Sequence, residues 1–597
     1  MATDNNLVRE RAQYWATAQV FDDKVREEIQ GLISKGESDE LSERFYRDLE
    51  FGTGGLRGII GYGTSMMNVY NVRKATFALV SYVESLSKGA KIKIAVSFDS
   101  RRFSKEFAHA ACEVIAASGH QALVTQELRP VPMLSFMVRH FECSAGICIT
   151  ASHNPPNYNG YKVYWSTGGQ LVPPHDKNVI EYYAKISDYA DIPTVPFDTG
   201  VAQKKIVEIG KELDDTYFSK VASLATQRGR RNIKVVYSPL HGTGGYPVVE
   251  CLKRFGFQDV TLVPEQAKPD GNFPTVKSPN PEDADAMKKA MDLAQKTGAD
   301  LILATDPDSD RIGIGYRNEQ GLHLLNGNQI GCLLTEYVLN SLKESGGLGP
   351  NPLVVTTIVT SPLQKKIAEH YGAHCDETLT GFKWIGDLVE KYETGEIKPY
   401  RKYICGGEES YGFLRDSFVR DKDAVSACAI AAEMVAYYLD QGKTLDKVLN
   451  DIYRRHGLYS EVLFTRTLPG MKGAQTIDTM MKNLRSKKPT QIQNWKISKY
   501  RDFLEQNEYL SKSGQFIWNS SINLPKSNVL QFILEDDSVV SVRPSGTEPK
   551  IKFYTSVRLA VDAKASDKVL AQKWEDGDKK AQALTEDFIR MMDTLAN

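Results

Sequence analysis

The sequence predicts an α/β protein of several domains, and three observations carry that expectation. An apolar β-rich run, a polar or glycine-containing turn and a helical stretch follow one another three times, from KIKIAVSFDSR at Lys91, NIKVVYSPLHGTGG at Asn232 and PLVVTTIVTSP at Pro352. Strands that alternate with helices favour parallel α/β units. The three runs lie about one domain length apart, and 597 residues leave room for about four domains.

Taken in order, roughly the first 50 residues read as helices leading into the first unit. Asn280-Pro281 is expected to open a helix in which Met287, Ala290, Met291 and Ala294 form an apolar stripe, with Gly298 as its stop. The strand DLILAT, from Asp300 to Thr305, follows at once. Ser361 can cap a helix with Pro362 in its first turn; Leu363, Ile367 and Tyr371 share a face, and Gly372 ends it. Core packing accounts for such stripes. A helical region is expected to end near Tyr453. Beyond about residue 460, short strand-like runs such as VLQFILEDDSVVSVR and a terminal helix-like segment predict an α+β domain.

Composition narrows the function classes. Hydrophobic residues make up 41% and charged residues 25%, enough apolar material for several cores and too much for a disordered chain. Lys and Arg total 74 against 75 Asp and Glu, a net charge of −1, which argues against a dedicated nucleic-acid binder. The N-terminal stretch mixes charges of both signs without an apolar signal core, and no run approaches the ~18 apolar residues of a membrane span. Cys112, Cys143, Cys148, Cys251, Cys332, Cys375, Cys405 and Cys428 are scattered, without CxxC or zinc spacing. They read as buried free thiols of a cytoplasmic protein.

Four loops carry chemistry. Asp306, Asp308 and Asp310 alternate directly after DLILAT, at the carboxyl end of a strand, where open α/β sheets bind ligands. Three carboxylates so spaced can converge on a hard cation and leave room for a phosphate oxygen. An EF-hand is excluded, because its glycine and glutamate positions hold Arg311 and Arg317. The second loop, TASHNPPNYNGYK from Thr150 to Lys162, sets Ser152 on a turn after the apolar run AGICIT. Local sequence leaves a nucleophile and a plain turn serine both open; no GxSxG elbow is present, and His153 reads as a hydrogen-bonding residue. Arg543-Pro544-Ser545-Gly546-Thr547 combines a cation, hydroxyls and backbone N–H groups, which suits a phosphate or an ordinary polar turn. Gly406 to Gly412, with Glu408, Glu409 and Ser410, suits sugar hydroxyls or a solvated turn.

Together these loops resemble the α-D-phosphohexomutase superfamily, in its phosphoglucomutase branch. The matching stretches are TASHNPPNYNGYKVYW, ATDPDSDRIG, GGEESYGF and VRPSGTEPKIKFY, with FGTGGLRGIIGYGT and ETLTGFKWIG, in the family's order from Gly52 to Tyr554. The resemblance implies three similar doubly wound mixed α/β domains and a C-terminal α+β domain around a central cleft, bounded here at 1–205, 206–325, 326–455 and 456–597. It implies that Ser152 carries the transferable phosphoryl group. Asp306, Asp308 and Asp310 would hold one Mg²⁺ per chain, with a Ser152 phosphate oxygen completing the protein side. Lys162 would transfer protons, beside Arg57 and Lys422 in the catalytic cleft. Arg311, Gly381 and Lys383 would line the substrate site; Glu408 and Ser410 would contact sugar hydroxyls. Arg543, Ser545, Gly546 and Thr547 would hold the phosphate that is not transferred. Ser309 stands where alanine or glycine is commoner in the family, and its small side chain need not touch the metal.

The implied reaction interconverts glucose 1-phosphate and glucose 6-phosphate through a glucose 1,6-bisphosphate that also serves as activator. Phosphopentomutase, phosphomannomutase or glucose-1,6-bisphosphate synthase activity would use the same loops. A phosphatase with Asp306 as nucleophile would leave the Ser152 and Arg543 loops unexplained. A non-catalytic sugar-phosphate binder would not need Ser152 with all three aspartates. The expected partners are small sugar phosphates, with no nucleic acid and no membrane, and the expected state is a monomer or weak dimer.

Overall fold

The computed structural model describes residues 2–49, 55–468, 470–512, 514–545 and 549–596. It comprises two compact units, one of Met1–Leu325, Phe382–Pro399 and Tyr411–Asp440, the other of Asn326–Gly381, Tyr400–Ser410 and Gln441–Asn597.

The first unit begins with the expected helices, Ala2–Thr17, Asp23–Lys35 and Ser38–Phe45. They enclose an aromatic cluster in which Trp15 stacks on Phe21, against Phe45, Tyr70 and Tyr189. The strands β1 (Gly55–Ile59), β2 (Lys93–Phe98), β3 (Gln121–Thr125), β4 (Ala145–Ile149), β5 (Tyr158–Trp165) and β6 (Ile206–Ile209) form one sheet in the order β1-β5-β4-β2-β3-β6. β2, β3, β4 and β6 pair in parallel, whereas β5 runs antiparallel to both β4 and β1. The buried runs of β2 and β4 have no polar face, as expected of strands covered on both sides.

A second sheet holds β7 (Val235–Ser238), β8 (Val260–Leu262), β9 (Leu301–Thr305), β10 (Ile312–Asn318) and β11 (Gly321–Leu324) in the order β11-β10-β9-β7-β8. The helix before β9 starts at Ala284, not at Asn280-Pro281. The Asp283 side chain caps it by accepting from the Asp285 N–H, while Asn280 Oδ1 accepts from the Glu282 N–H in a separate turn. Its stripe is as expected, with Met287, Ala290 and Ala294 buried and Gly298 left-handed at the stop. Strand β15 (Gly412–Leu414) and the helices Phe382–Glu393 and Ala424–Asp440 also belong to this unit.

In the second unit β12 (Pro352–Thr357) pairs in parallel with β13 (His374–Thr378) and β14 (Lys402–Glu408). The helix Pro362–His370 follows β12, and Ser361 caps it as expected by accepting from the Leu363 N–H. The next helix runs to His456, one turn beyond Tyr453, because Gly457 supplies the stop. The C-terminal domain is an antiparallel sheet of β16 (Leu458–Thr467), β17 (Gln491–Ile492), β18 (Trp495–Asp502), β19 (Asn507–Lys512), β20 (Gln515–Ser521), β21 (Leu530–Leu534), β22 (Val539–Pro544) and β23 (Lys550–Leu559). The helices Gly470–Lys487 and Asp567–Thr594 contribute Met481, Leu484 and Phe588 to its core beside Phe532 and Phe553. The sequence reading separates the terminal helix but not the one at Gly470. Three mixed α/β domains and one antiparallel domain thus place the protein in the α/β class. Among the described residues no helix is long and apolar enough to cross a membrane. All eight cysteines are free, and all but the half-buried Cys375 are buried.

Candidate active site

The loop after β9 is wound around the first of its aspartates. Asp306 Oδ1 accepts from the N–H groups of Asp310 (3.1 Å) and Arg311 (3.0 Å), and the Ser309 N–H donates to the Asp306 carbonyl. This winding turns three carboxylates inward until ligand oxygens of Asp306, Asp308 and Asp310 lie within 4.8 Å of one another. All three are buried, and among the described residues Asp308 Oδ1 and Asp310 Oδ1 accept no hydrogen bond. Buried anionic oxygens without partners are costly, so this donor set fits a hard divalent cation. Ser309 has φ +51°, and its Oγ lies 3.1 Å from Thr243 Oγ1 and 3.4 Å from the Asp306 carbonyl oxygen rather than on a carboxylate.

The hairpin from β4 to β5 brings Ser152 to this cluster. Ser152 Oγ donates to Asp306 Oδ2 at 2.9 Å and lies 3.2 Å from His153 Nδ1. Thr150 supports the approach from both sides. It accepts from the Ser152 N–H (2.8 Å) and donates to Asp308 Oδ2 (3.2 Å). Ser152 is in the left-handed region at φ 52°, unusual for a residue other than glycine. On β5, Lys162 reaches Asp308 (2.8 Å) and Asp310 (3.3 Å), and Lys422 reaches Asp310 (3.2 Å). Arg311 pairs with Glu282. Arg57 lies opposite Gly160 in the β1–β5 register.

The charges set one another's protonation. Burial, with Asp308 and Asp310 beside it, raises Asp306 well above the usual carboxylate range. Burial would raise Asp310 too, but Lys422, Lys162 and Arg311 outweigh it and hold Asp310 low. Burial would lower Lys162, but Asp308, Asp310 and Asp421 outweigh it and keep the ammonium charged. His153 is pushed well below the usual imidazole value, by burial first and then by Arg311 and Arg57, and is neutral near pH 7.

Other expected residues fall elsewhere. Lys383 lies 3.6 Å from Asp176 and donates to the Leu171 carbonyl. Burial lowers its pKa against the pull of Asp176. In the second unit, the Gly381 N–H donates to Glu408 Oε1 (2.8 Å), at the end of β14, and Ser410 is half-buried. Arg543, next to last in β22, lies opposite Lys552, and the Ser545 N–H donates to the Lys550 carbonyl (2.7 Å). Gly546 and Thr547 lie outside the described residues.

Thr150, Glu282 and Asp421 were not singled out in the sequence. Asp421 accepts from Tyr164 Oη (2.7 Å) and Gln170 Nε2 (2.8 Å), which fixes the backbone one residue before Lys422. Thr150 was legible, since it stands two residues before Ser152 at the end of a strand. Glu282 and Asp421 had no local signal, because their partners are distant in sequence.

Serine, aspartate triad and paired lysines thus converge on one point of an α/β scaffold. Family models described as phosphoglucomutase/phosphomannomutase, alpha/beta/alpha domains I, II and III match residues 48–190, 215–320 and 326–456. A phosphoglucomutase of Staphylococcus aureus is 37% identical over 525 residues, 87% of this chain and 91% of that protein. The fold is similar to that of a putative phosphomannomutase from Thermus thermophilus (TM-score 0.63, 20% identity, 92% of this chain and 99% of that one). It is also similar to pp63/parafusin, a phosphoglucomutase from Paramecium, in its open form (TM-score 0.64, 18% identity, 91% and 96%). The chain belongs to the phosphoglucomutase/phosphomannomutase family of the α-D-phosphohexomutase superfamily.

Proposed function

We propose that the chain is a phosphoglucomutase, interconverting glucose 1-phosphate and glucose 6-phosphate through a phosphoserine at Ser152 and a glucose 1,6-bisphosphate. The observation that carries this reading is Ser152 Oγ, held 2.9 Å from the first of three converging aspartates with Lys162 across the other two. Phosphoryl transfer needs in-line positioning and charge neutralisation. Asp306, Asp308 and Asp310 would hold one Mg²⁺, which when bound neutralises charge on the phosphoryl oxygens.

The chain's own residues do the rest. A sugar hydroxyl attacks the phosphorus on Ser152; the P–Oγ bond breaks as the P–O bond to the sugar forms. Lys162, kept charged by its aspartates, would give a proton to Ser152 Oγ as the P–Oγ bond breaks and take up the proton that the sugar hydroxyl loses, so that it ends charged as it began. Arg311, steadied by Glu282, and Arg57 add positive charge near the transferred group. The second transfer runs the same step in reverse from the other phosphate. Glu408 and Ser410 would bind sugar hydroxyls, Gly381 and Lys383 would bind substrate, and Arg543, Ser545, Gly546 and Thr547 would hold the non-transferred phosphate. These roles belong to domains bounded near residues 205, 325 and 455.

The test is phosphorus NMR of the full-length protein with Mg²⁺ and a trace of glucose 1,6-bisphosphate. Glucose 1-phosphate, mannose 1-phosphate and ribose 1-phosphate are compared. Conversion of the glucose compound is expected. Conversion of the ribose compound alone would replace the reading with a phosphopentomutase.

A further inference from the structure

Two charged residues after β2, Asp99 and Arg101, have no place in the mechanism above, yet both are completely buried. Arg101 spends its guanidinium on backbone carbonyls of a single loop. Nη2 donates to the carbonyls of Ser152 (2.5 Å) and Asn154, and Nη1 to those of Pro155 (2.8 Å) and Tyr158 (3.0 Å). Asp99 holds the arginine in turn. Its Oδ1 accepts from the Arg101 N–H (2.9 Å) and from Ser104 Oγ (2.7 Å), and its Oδ2 lies 3.4 Å from Nε. The Phe273 ring lies 5.0 Å from the guanidinium carbon. Asn159, just past the loop, donates to the Arg102 carbonyl and to Ser104 Oγ, so both ends of the loop are tied to the same turn.

The loop needs an outside donor. Pro155 and Pro156 bring no N–H groups, and the internal turns (Asn154 N–H to the Ala151 carbonyl, Tyr158 N–H to that of Pro155) leave the Ser152 and Asn154 carbonyls to Arg101. A guanidinium spreads five N–H donors over a planar fork and here serves four carbonyls, whereas an ammonium has three donors on a single atom. With their negative ends gathered on one buried cation, these carbonyls are held away from an incoming phosphate dianion. The left-handed Ser152, a conformation that costs about 1–2 kcal/mol, is kept in place by the same bonds.

We propose that Arg101, oriented by Asp99, is the positioning residue of the Ser152 loop: it fixes the loop backbone so that Ser152 Oγ meets the aspartates in line for transfer. The proposal rests on Ser152 being the phosphoryl carrier.

The test uses the full-length enzyme and Arg101→Lys, which keeps the charge and loses the fork. A misplacement of the serine by an ångström lowers kcat by about 100-fold. KM for glucose 1-phosphate should stay within roughly threefold, since that binding is made elsewhere. Intact-mass measurement of Ser152 phosphorylation by glucose 1,6-bisphosphate should slow by the same factor as kcat. Asp99→Asn, which keeps the acceptor shape, should show the same split with a smaller loss. A folded Arg101→Lys enzyme with kcat within threefold of the parent overturns the proposal, as does a KM that rises in step with the loss. If Arg101→Lys does not fold, Asp99→Asn decides by the same two numbers. Ser152→Ala separates the two readings. Turnover in that variant removes the phosphoserine itself, whereas an inactive Ser152→Ala beside a normal Arg101→Lys removes only the role of Arg101.

Discussion

At the scale of single residues, the hydroxyl of Ser152 and the free oxygens of Asp308 and Asp310 make the sharpest demands. Ser152→Ala removes the acceptor and leaves its neighbours in place. Turnover should fall by more than about 10³-fold with an unchanged circular dichroism spectrum; near-normal activity would remove the mechanism. Asp308→Asn keeps the shape and removes one of three anionic ligands. Activity should fall strongly, and the Mg²⁺ concentration for half-maximal rate should rise about tenfold or more; a superimposable Mg²⁺ titration would count against the metal assignment. The aspartate loop was legible because its three ligands alternate within five residues. Lys422, Glu282 and Arg101 show why residue-level reading stops short. Lys422 was reached only through the family's motif, since no periodicity links it to Asp310. Arg101 serves carbonyls, which have no sequence signature at all.

At the scale of elements, strand alternation and helix caps were the legible part, and errors fell at ends. Asn280-Pro281 has the look of a helix start, yet the Asp283 cap competes more effectively and leaves Glu282 in the preceding turn, where it meets Arg311. The β4–β5 hairpin has a tight point at Gly160. A Cβ there would stand 2.5 Å from the Thr150 carbonyl oxygen and 2.9 Å from that of Leu56. Gly160→Ala should therefore cost about 2 kcal/mol in urea unfolding and disturb the Ser152 turn; a stable, fully active variant would show that the sheet yields. In β16 the partly buried Glu461 accepts from Ser556 Oγ (3.5 Å), and burial raises its carboxyl to about 7 against the hydroxyls of Ser361 and Ser556. A carboxyl raised on folding contributes stability below its unfolded pKa, lost as pH rises through the folded one. Glu461→Gln should thus narrow the difference in melting temperature between pH 5.5 and pH 8.5; an unchanged difference would place the pH dependence elsewhere.

At the scale of the whole molecule, a net charge of −1 hides local pairing rather than a surplus of free cations. Lys162 and Lys422 already lie on aspartates, and Arg420, two residues before Lys422, is buried against Glu390 (3.0 Å) and Glu393. Arg420→Ala would leave Glu390 and Glu393 with Arg139 alone, at 3.3 and 3.8 Å. It should lower stability by about 3 kcal/mol, read as a lower unfolding midpoint; no shift would mean the pair is screened.

The division into units carries a further consequence. The chain passes from one unit to the other after Leu325, Gly381, Pro399, Ser410 and Asp440. No single cut separates the two, and a fragment ending at Leu325 would contain Ser152 and all three aspartates but lack Lys422. During synthesis, Asp310 must likewise wait for more than a hundred further residues before its second lysine exists. The cluster of Ser152, aspartates and lysines is thus a late product of translation, and a chain arrested midway holds its aspartates without a full set of counter-charges.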